Sequence, residues 1–318
     1  MQAVPTRGDR DGDHNLALEA RLTPGIQARD VGYFPAGRSM LRRVHGERVV
    51  GLHYGQRTAL LGALDPLLYE GTQRHTRDKA RPWARLRRTG RIMETVFFGT
   101  RAEADRELAR VGRMHEHVRG AIDVPVGNHP AGTTYSAYDP ALAFRTLGSV
   151  ADSAQAIYEA FVAALTATER ETLWRDYLLL GELFGLARDD APASYAEFRG
   201  VWDAWLEGDP LHLTDDARES ALQTAFDQPL PHGVSALQRR INYLVVAGTI
   251  SERVRDIYDL PWGPTQRAAF GALVRGARTA RHVAPRVLRR GQNAIVFDLV
   301  ARTEQQRLER SERTWRMA

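Results

Sequence analysis

The sequence predicts an all-α chain, a single multi-helix domain of about ten helices or more, and three features carry that prediction. Apolar residues recur at steps of three and four through most of the chain, the period of helices with one buried stripe. Three segments open with a hydroxyl residue followed three positions later by Glu: Thr100 with Glu103, Thr166 with Glu169, and Ser194 with Glu197. In that pattern each side chain satisfies a backbone donor that the first helical turn leaves unpaired. Alternating apolar runs of useful length are missing, as are internal repeats and any composition break that would mark a linker.

Residues 1–22, polar and charged at their start, are expected to be disordered, and 23–318 to form the domain. A loop over 25–39 with the turn Gly32-Tyr-Phe-Pro-Ala-Gly37 leads into short helical patterning over 40–45. The next helix, 47–64, carries Gly51, Gly55, Ala59 and Ala63 at every fourth position, a smooth ridge that another backbone or a flat cofactor could approach. A further helix follows Asp65-Pro66 to Thr72, and 75–81 is polar.

Two consecutive helices then span 81–120. Pro82 starts the first, whose buried face is Trp83, Leu86, Gly90, Met93 and Phe97, and Gly99 ends it as a left-handed residue. Thr100 caps the second, expected to reach Gly120, with Ala104, Leu108, Val111, His115 and Val118 on its inward stripe. Arg91 and Thr95 lie four residues apart on one strip, so the pair and the inward His115 are expected to converge on one interior site. Beyond a loop, Asp139-Pro140 starts a long helix, Thr166 and Ser194 cap two more, Thr214 caps another, and helices over 234–247 and after Ser251 lead to a helical C-terminus.

Composition limits the chemistry. At 318 residues and 43% hydrophobic content the chain can bury a large core. The absence of cysteine excludes disulfides, iron–sulfur clusters, thiolate-ligated or covalently attached haem, and cysteine nucleophiles. The formal charge is +5, with Lys79 the sole lysine among 44 basic residues. That charge is spread along the chain, so no nucleic-acid partner is expected, although Arg85, Arg87, Arg88 and Arg91 leave room for a local anion site. No signal peptide and no twenty-residue apolar run is present, which predicts a cytoplasmic protein without a membrane span.

Phosphate-loop, nucleophile-elbow, zinc and di-iron patterns are all missing. What remains is one inward His on an apolar stripe, which is either a hydrogen-bonded core residue or the proximal ligand of a b-type haem.

The runs Trp83-Ala-Arg-Leu-Arg-Arg-Thr-Gly-Arg91, Thr95-Val-Phe-Phe-Gly99 and Arg113-Met-His115-Glu-His-Val-Arg-Gly120 resemble the core of the MpaB/latex-clearing (rubber) oxygenase family. Gly32-Tyr-Phe, Arg42-Arg-Val-His-Gly46, Tyr135-Ser-Ala-Tyr-Asp-Pro140, Val150-Ala-Asp-Ser153 and the stretch from Arg253 to Trp262 are similar to family signatures in the same order. The resemblance implies a globin-like helical core, haem b as cofactor, and oxygenase chemistry on an apolar unsaturated small molecule with O2. It implies His115 as axial iron ligand, Arg91 as a donor to a haem propionate or a polarised oxygen intermediate, and Thr95 in the same network. The alternative for Arg91 is an internal salt bridge, and for Thr95 a bond back to its own helix.

The sequence departs from the family at three places. Glu94 stands where the rubber-cleaving enzyme offers a Lys, and it could serve as a general base or be a solvated helix residue. Asp65 precedes Pro66 where many bacterial relatives carry His, and Arg145-Thr-Leu147 stands where they carry Trp-Val-His. The absent histidines keep a second expectation open, a haem-free helical binding or scaffold protein.

Overall fold

Helices begin where capping residues place them. The Asp65 carboxylate accepts from the amides of Leu67 and Leu68, and Asp139 from those of Ala141 and Leu142. The three hydroxyl–Glu boxes close reciprocally at Thr100, Thr166 and Ser194. Each such cap contributes about 1 kcal/mol by satisfying otherwise orphaned N–H groups.

The structure is a computed structural model that describes residues 31–76, 81–208, 211–227, 229 and 236–317. The expected disordered segment 1–22 lies outside these residues, as do parts of the 25–39 and 75–81 segments and the first residues of the helix expected over 234–247. The described helices are α1 (Met40–His45), α2 (Arg48–Gly62), α3 (Pro66–Arg74), α4 (Pro82–Phe98), α5 (Arg101–His115), α6 (Pro140–Phe161) and α7 (Ala167–Leu183). There follow α8 (Tyr195–Glu207), α9 (Asp215–Phe226), α10 (Ala236–Thr249), α11 (Glu252–Ile257), α12 (Pro264–Ala280), α13 (Arg286–Arg289) and α14 (Ala294–Met317). One antiparallel hairpin, β1 (Arg119–Ala121) with β2 (Thr134–Ser136), is the only sheet among the described residues, so the fold is all-α.

Two expected helix ends are corrected. Gly99 is extended, with φ −76° and ψ 177°, not left-handed. Glycine is needed there because a Cβ would lie 2.6 Å from the Thr95 carbonyl oxygen. The second helix ends at His115, and Gly120 pairs with Tyr135 in the hairpin, where a Cβ would meet the Tyr135 hydroxyl at 2.7 Å.

Helix α2 is central. It packs most extensively on α6 and also meets α9 and α10, while α4 is held between α5 and α14. Trp174 stacks on Phe198 at 4.1 Å, Trp202 continues the layer, and all three are buried. A charged knot ties α2, α6 and α8: Arg57 meets Asp152 at 2.7 Å and donates to Ser153, and Arg199 pairs with the same Asp152. Asp152 and Ser153 belong to one of the family-like motifs, and their work here is structural. Among the described residues no helix is long and apolar enough to cross a membrane.

Candidate functional site: an apolar cavity ending at His115

The inward stripe of α4 does not close on the core. Arg85, Leu86, Met93, Glu94 and Phe97 border a cavity of about 470 Å³ whose other walls come from α1, α2, α3, α5, α6, α7 and α9. The size suits a small-molecule or cofactor site. Gly51, Gly55, Ala59 and Ala63 all line it, so the small-residue ridge of α2 faces this space. A Cβ on Gly55 would already meet Leu86 at 3.1 Å, and one on Gly51 would strike the Asn293 amide at 2.2 Å. The ridge therefore keeps the wall flat and lets neighbouring side chains approach the backbone.

His115, the last residue of α5, lines the same cavity with Val111 and Met114. Its ring is half-buried and lies edge-on to Tyr138 at 6.2 Å. Among the described residues neither ring nitrogen has a hydrogen-bond partner. Burial lowers its pKa below the ordinary value of 6.5, so the imidazole is neutral at pH 7 with a lone pair free for a Lewis acid. His117 points elsewhere, exposed and bonded back to the Arg113 carbonyl.

Arg91 and Thr95 stand together, as their spacing predicts, but not with His115. Both line a charged groove between α4 and α5, on another side of α4 from the cavity. Arg91 is exposed and forks onto Asp298 of α14 at 2.5 and 2.7 Å, and the Thr95 hydroxyl donates to the Arg91 carbonyl at 2.9 Å. These contacts are the salt bridge and the back-bond that the sequence left as alternatives. The expected convergence of all three on one interior site is thus corrected, because α14 supplies a carboxylate that draws Arg91 outward.

Glu94 alone of the four borders both spaces. It is half-buried rather than solvated, and its Oε1 accepts from the Asn293 backbone N–H at 2.6 Å. Its charge, after burial itself, raises the pKa of Tyr54, a second cavity residue, which keeps that phenol protonated.

The family departures are coupled in space. The Asp65 carboxylate, besides capping α3, forms an ion pair with Arg145, whose guanidinium also lies 5.9 Å from the centre of Trp205. Leu147 simply extends the apolar wall of the cavity. Where relatives are expected to offer two imidazoles, this chain has an ion pair of a buried Asp65 with a half-buried Arg145, and an aliphatic surface. Among the described residues no group of three or more His, Cys, Asp or Glu could hold a bare metal ion. A haem iron, by contrast, needs a single protein ligand.

Two cavity residues escaped the sequence reading. Arg85 was visible only as one member of a basic run, although it is one position before Leu86 on the inward stripe. His45 ends α1 and lies inside the Arg42 to Gly46 motif, where its place on the buried face with Leu41 and Val44 was the available signal. Its ring packs tilted against Phe97, centroids 4.3 Å apart, meets the Tyr177 hydroxyl at 2.8 Å through Nε2, and lines the cavity. Burial pushes its pKa down to about 3, and His53, also buried, is lowered in the same direction. The folded state therefore holds His45 neutral while the unfolded chain protonates it below about pH 6.5. Stability should fall as pH drops from about 6.5 towards 3. Urea midpoints measured across that range are expected to depend less steeply on pH in His45→Phe than in the parent.

Comparison with known proteins places this geometry in a class. Residues 42–279 match the family described as ER-bound oxygenase mpaB/B'/rubber oxygenase, catalytic domain, and the chain belongs to that family. It is also similar to the uncharacterized proteins Rv2237 of Mycobacterium tuberculosis and Mb2261 of Mycobacterium bovis. Each is 25% identical over 206 residues, covering 64% of this chain and 76% of the relative. No solved structure matches it significantly.

Proposed function

We propose that the protein is a haem b-dependent oxygenase of the cytoplasm acting on an apolar, unsaturated small molecule, with His115 as the axial iron ligand. The observation that carries this reading is the neutral His115 imidazole, its nitrogens free among the described residues, opening onto an apolar cavity walled by the Gly51, Gly55, Ala59 and Ala63 ridge. These features fit the group: one uncharged nitrogen donor, a flat wall of small residues, and side chains that exclude water. Haem bound there would supply the activation of O2.

The chain's own residues divide the remaining work. Leu86, Met93, Phe97 and Leu147 select an apolar substrate and keep water out. The Glu94 carboxylate, anchored by the Asn293 backbone N–H, holds or accepts a proton at its Oε atoms on the cavity side. Arg91 and Thr95 act as positioning residues. By fixing Asp298, Arg91 holds α14, and Asn293 just before that helix keeps Glu94 in place.

Purified protein should bind added haem one to one and develop a Soret band. A protein that stays colourless and takes up no haem would overturn the proposal. A second reading, a haem-free binding protein on the same fold, is favoured by Leu147 and by the Asp65 to Arg145 pair at the positions of the missing histidines. It predicts no Soret band but saturable uptake of an apolar probe.

A further inference from the structure

The cavity is not apolar throughout. At the end formed by α3, α4 and α9 it is bordered by Arg85, Tyr69, Thr72 and Ser220, and the exposed side chains Thr72 and Thr89 mark this end as open to water. The Arg85 guanidinium is half-buried there. Among the described residues its partner is the Thr76 hydroxyl, at 3.2 Å, and no carboxylate neutralises it. Arg57, Arg91, Arg145, Arg199 and Arg281, by contrast, all meet carboxylates, and Arg42, which has none among the described residues, is held by the Phe34 and Phe97 carbonyls. Burial accordingly lowers the Arg85 pKa, with only the nearby Tyr69 acting in the opposite sense. A desolvated guanidinium without a counter-ion is costly unless an anion arrives to share it.

Arg85 also stands at the His115 end of the cavity. Helices α4 and α5 are joined by Gly99 and Thr100 alone and run antiparallel, since Gly99, Thr95 and Arg88 border the charged groove together with Glu103, Glu107 and Arg110. The first turns of α4 are therefore level with the last turn of α5, which ends in His115. Glu94, nine residues beyond Arg85, lies roughly 13 Å further along the axis. The cavity thus pairs a nitrogen donor with a cation at its open end, and keeps its apolar depth beyond them.

We propose that Arg85, with the Tyr69 and Ser220 hydroxyls beside it, binds the carboxylate of an otherwise apolar ligand at the mouth of the cavity. Two ligands share that chemistry, the propionate edge of haem and a long-chain unsaturated carboxylic acid entering as substrate. The haem source rests on the oxygenase reading, whereas the acid source does not. In either case charge-assisted, bidentate contact with Arg orients the ligand, its charged end to water and its apolar body inward.

The test titrates the parent, Arg85→Gln and Arg85→Lys with four probes: haem b, haem dimethyl ester, cis-parinaric acid and methyl parinarate. Arg85→Gln is expected to weaken at least one free-acid probe about tenfold or more while leaving its ester unchanged, and Arg85→Lys to recover part of the loss. A loss confined to haem b assigns the carboxylate to propionate, and one confined to parinaric acid assigns it to a substrate. Unchanged affinity for both acids, equal losses for acids and esters, or a parent that binds none of the probes would each overturn the proposal. Arg85-dependent parinarate binding without haem uptake would support the anion site and sink the oxygenase reading. Haem uptake indifferent to Arg85, with no Arg85-dependent acid binding, would do the reverse.

Discussion

Replacing Asp152 with Asn is expected to destabilise the fold by about 3–5 kcal/mol, measured as a shift in chemical denaturation, because it leaves the buried Arg57 without its counter-charge. The Arg57 and Asp152 side chains are only 4% and 9% exposed, so solvent cannot take over the lost partner. Arg57 would retain the Ser153 hydroxyl and the Thr249 carbonyl, neither of which carries charge. Burial by itself would raise the Asp152 carboxyl, but Arg57 and Arg199 outweigh it and hold the group below the usual carboxylate range. Its contribution is therefore full above the unfolded value, near 4, and is lost as pH falls through the lower folded value. The double variant Arg57→Met with Asp152→Leu should cost less than Asp152→Asn alone, since it removes the charges together. A single variant as stable as the parent would show that the knot contributes nothing.

The second large effect concerns His115. In His115→Gly the haem spectrum that the proposed function expects of the parent should vanish, and added imidazole should restore it by occupying the space left by the side chain, a rescue that a merely structural histidine would not permit. Because burial lowers the His115 pKa, its ring resists protonation, and the parent spectrum should survive below pH 6.5 until acid finally competes for the nitrogen. An unchanged spectrum in the glycine variant would remove His115 from the iron. His45, buried in the same cavity, would then become the ligand to test.

Much of this site is legible in the sequence. Helical spacing placed His115 inward and identified the glycine and alanine ridge, and both border one cavity. Spacing also joined Arg91 to Thr95 correctly. It failed on their direction, because two strips of α4 are both half-covered, and sequence period cannot say which neighbour covers which.

What the sequence determined by itself is local: where helices start, since caps act within four residues, and which side chains share a face, since helical periodicity is built into the backbone. The tertiary structure decided the rest through partners remote in the chain. Asp298, more than two hundred residues from Arg91, turns that arginine away from the cavity. Arg145 satisfies Asp65 eighty residues earlier, and Asn293 anchors Glu94. Arg85, which has no carboxylate partner among the described residues, is left facing the open end of the cavity. Charge pairing and burial between distant segments depend on how helices pack, so they become readable only once the packing is known.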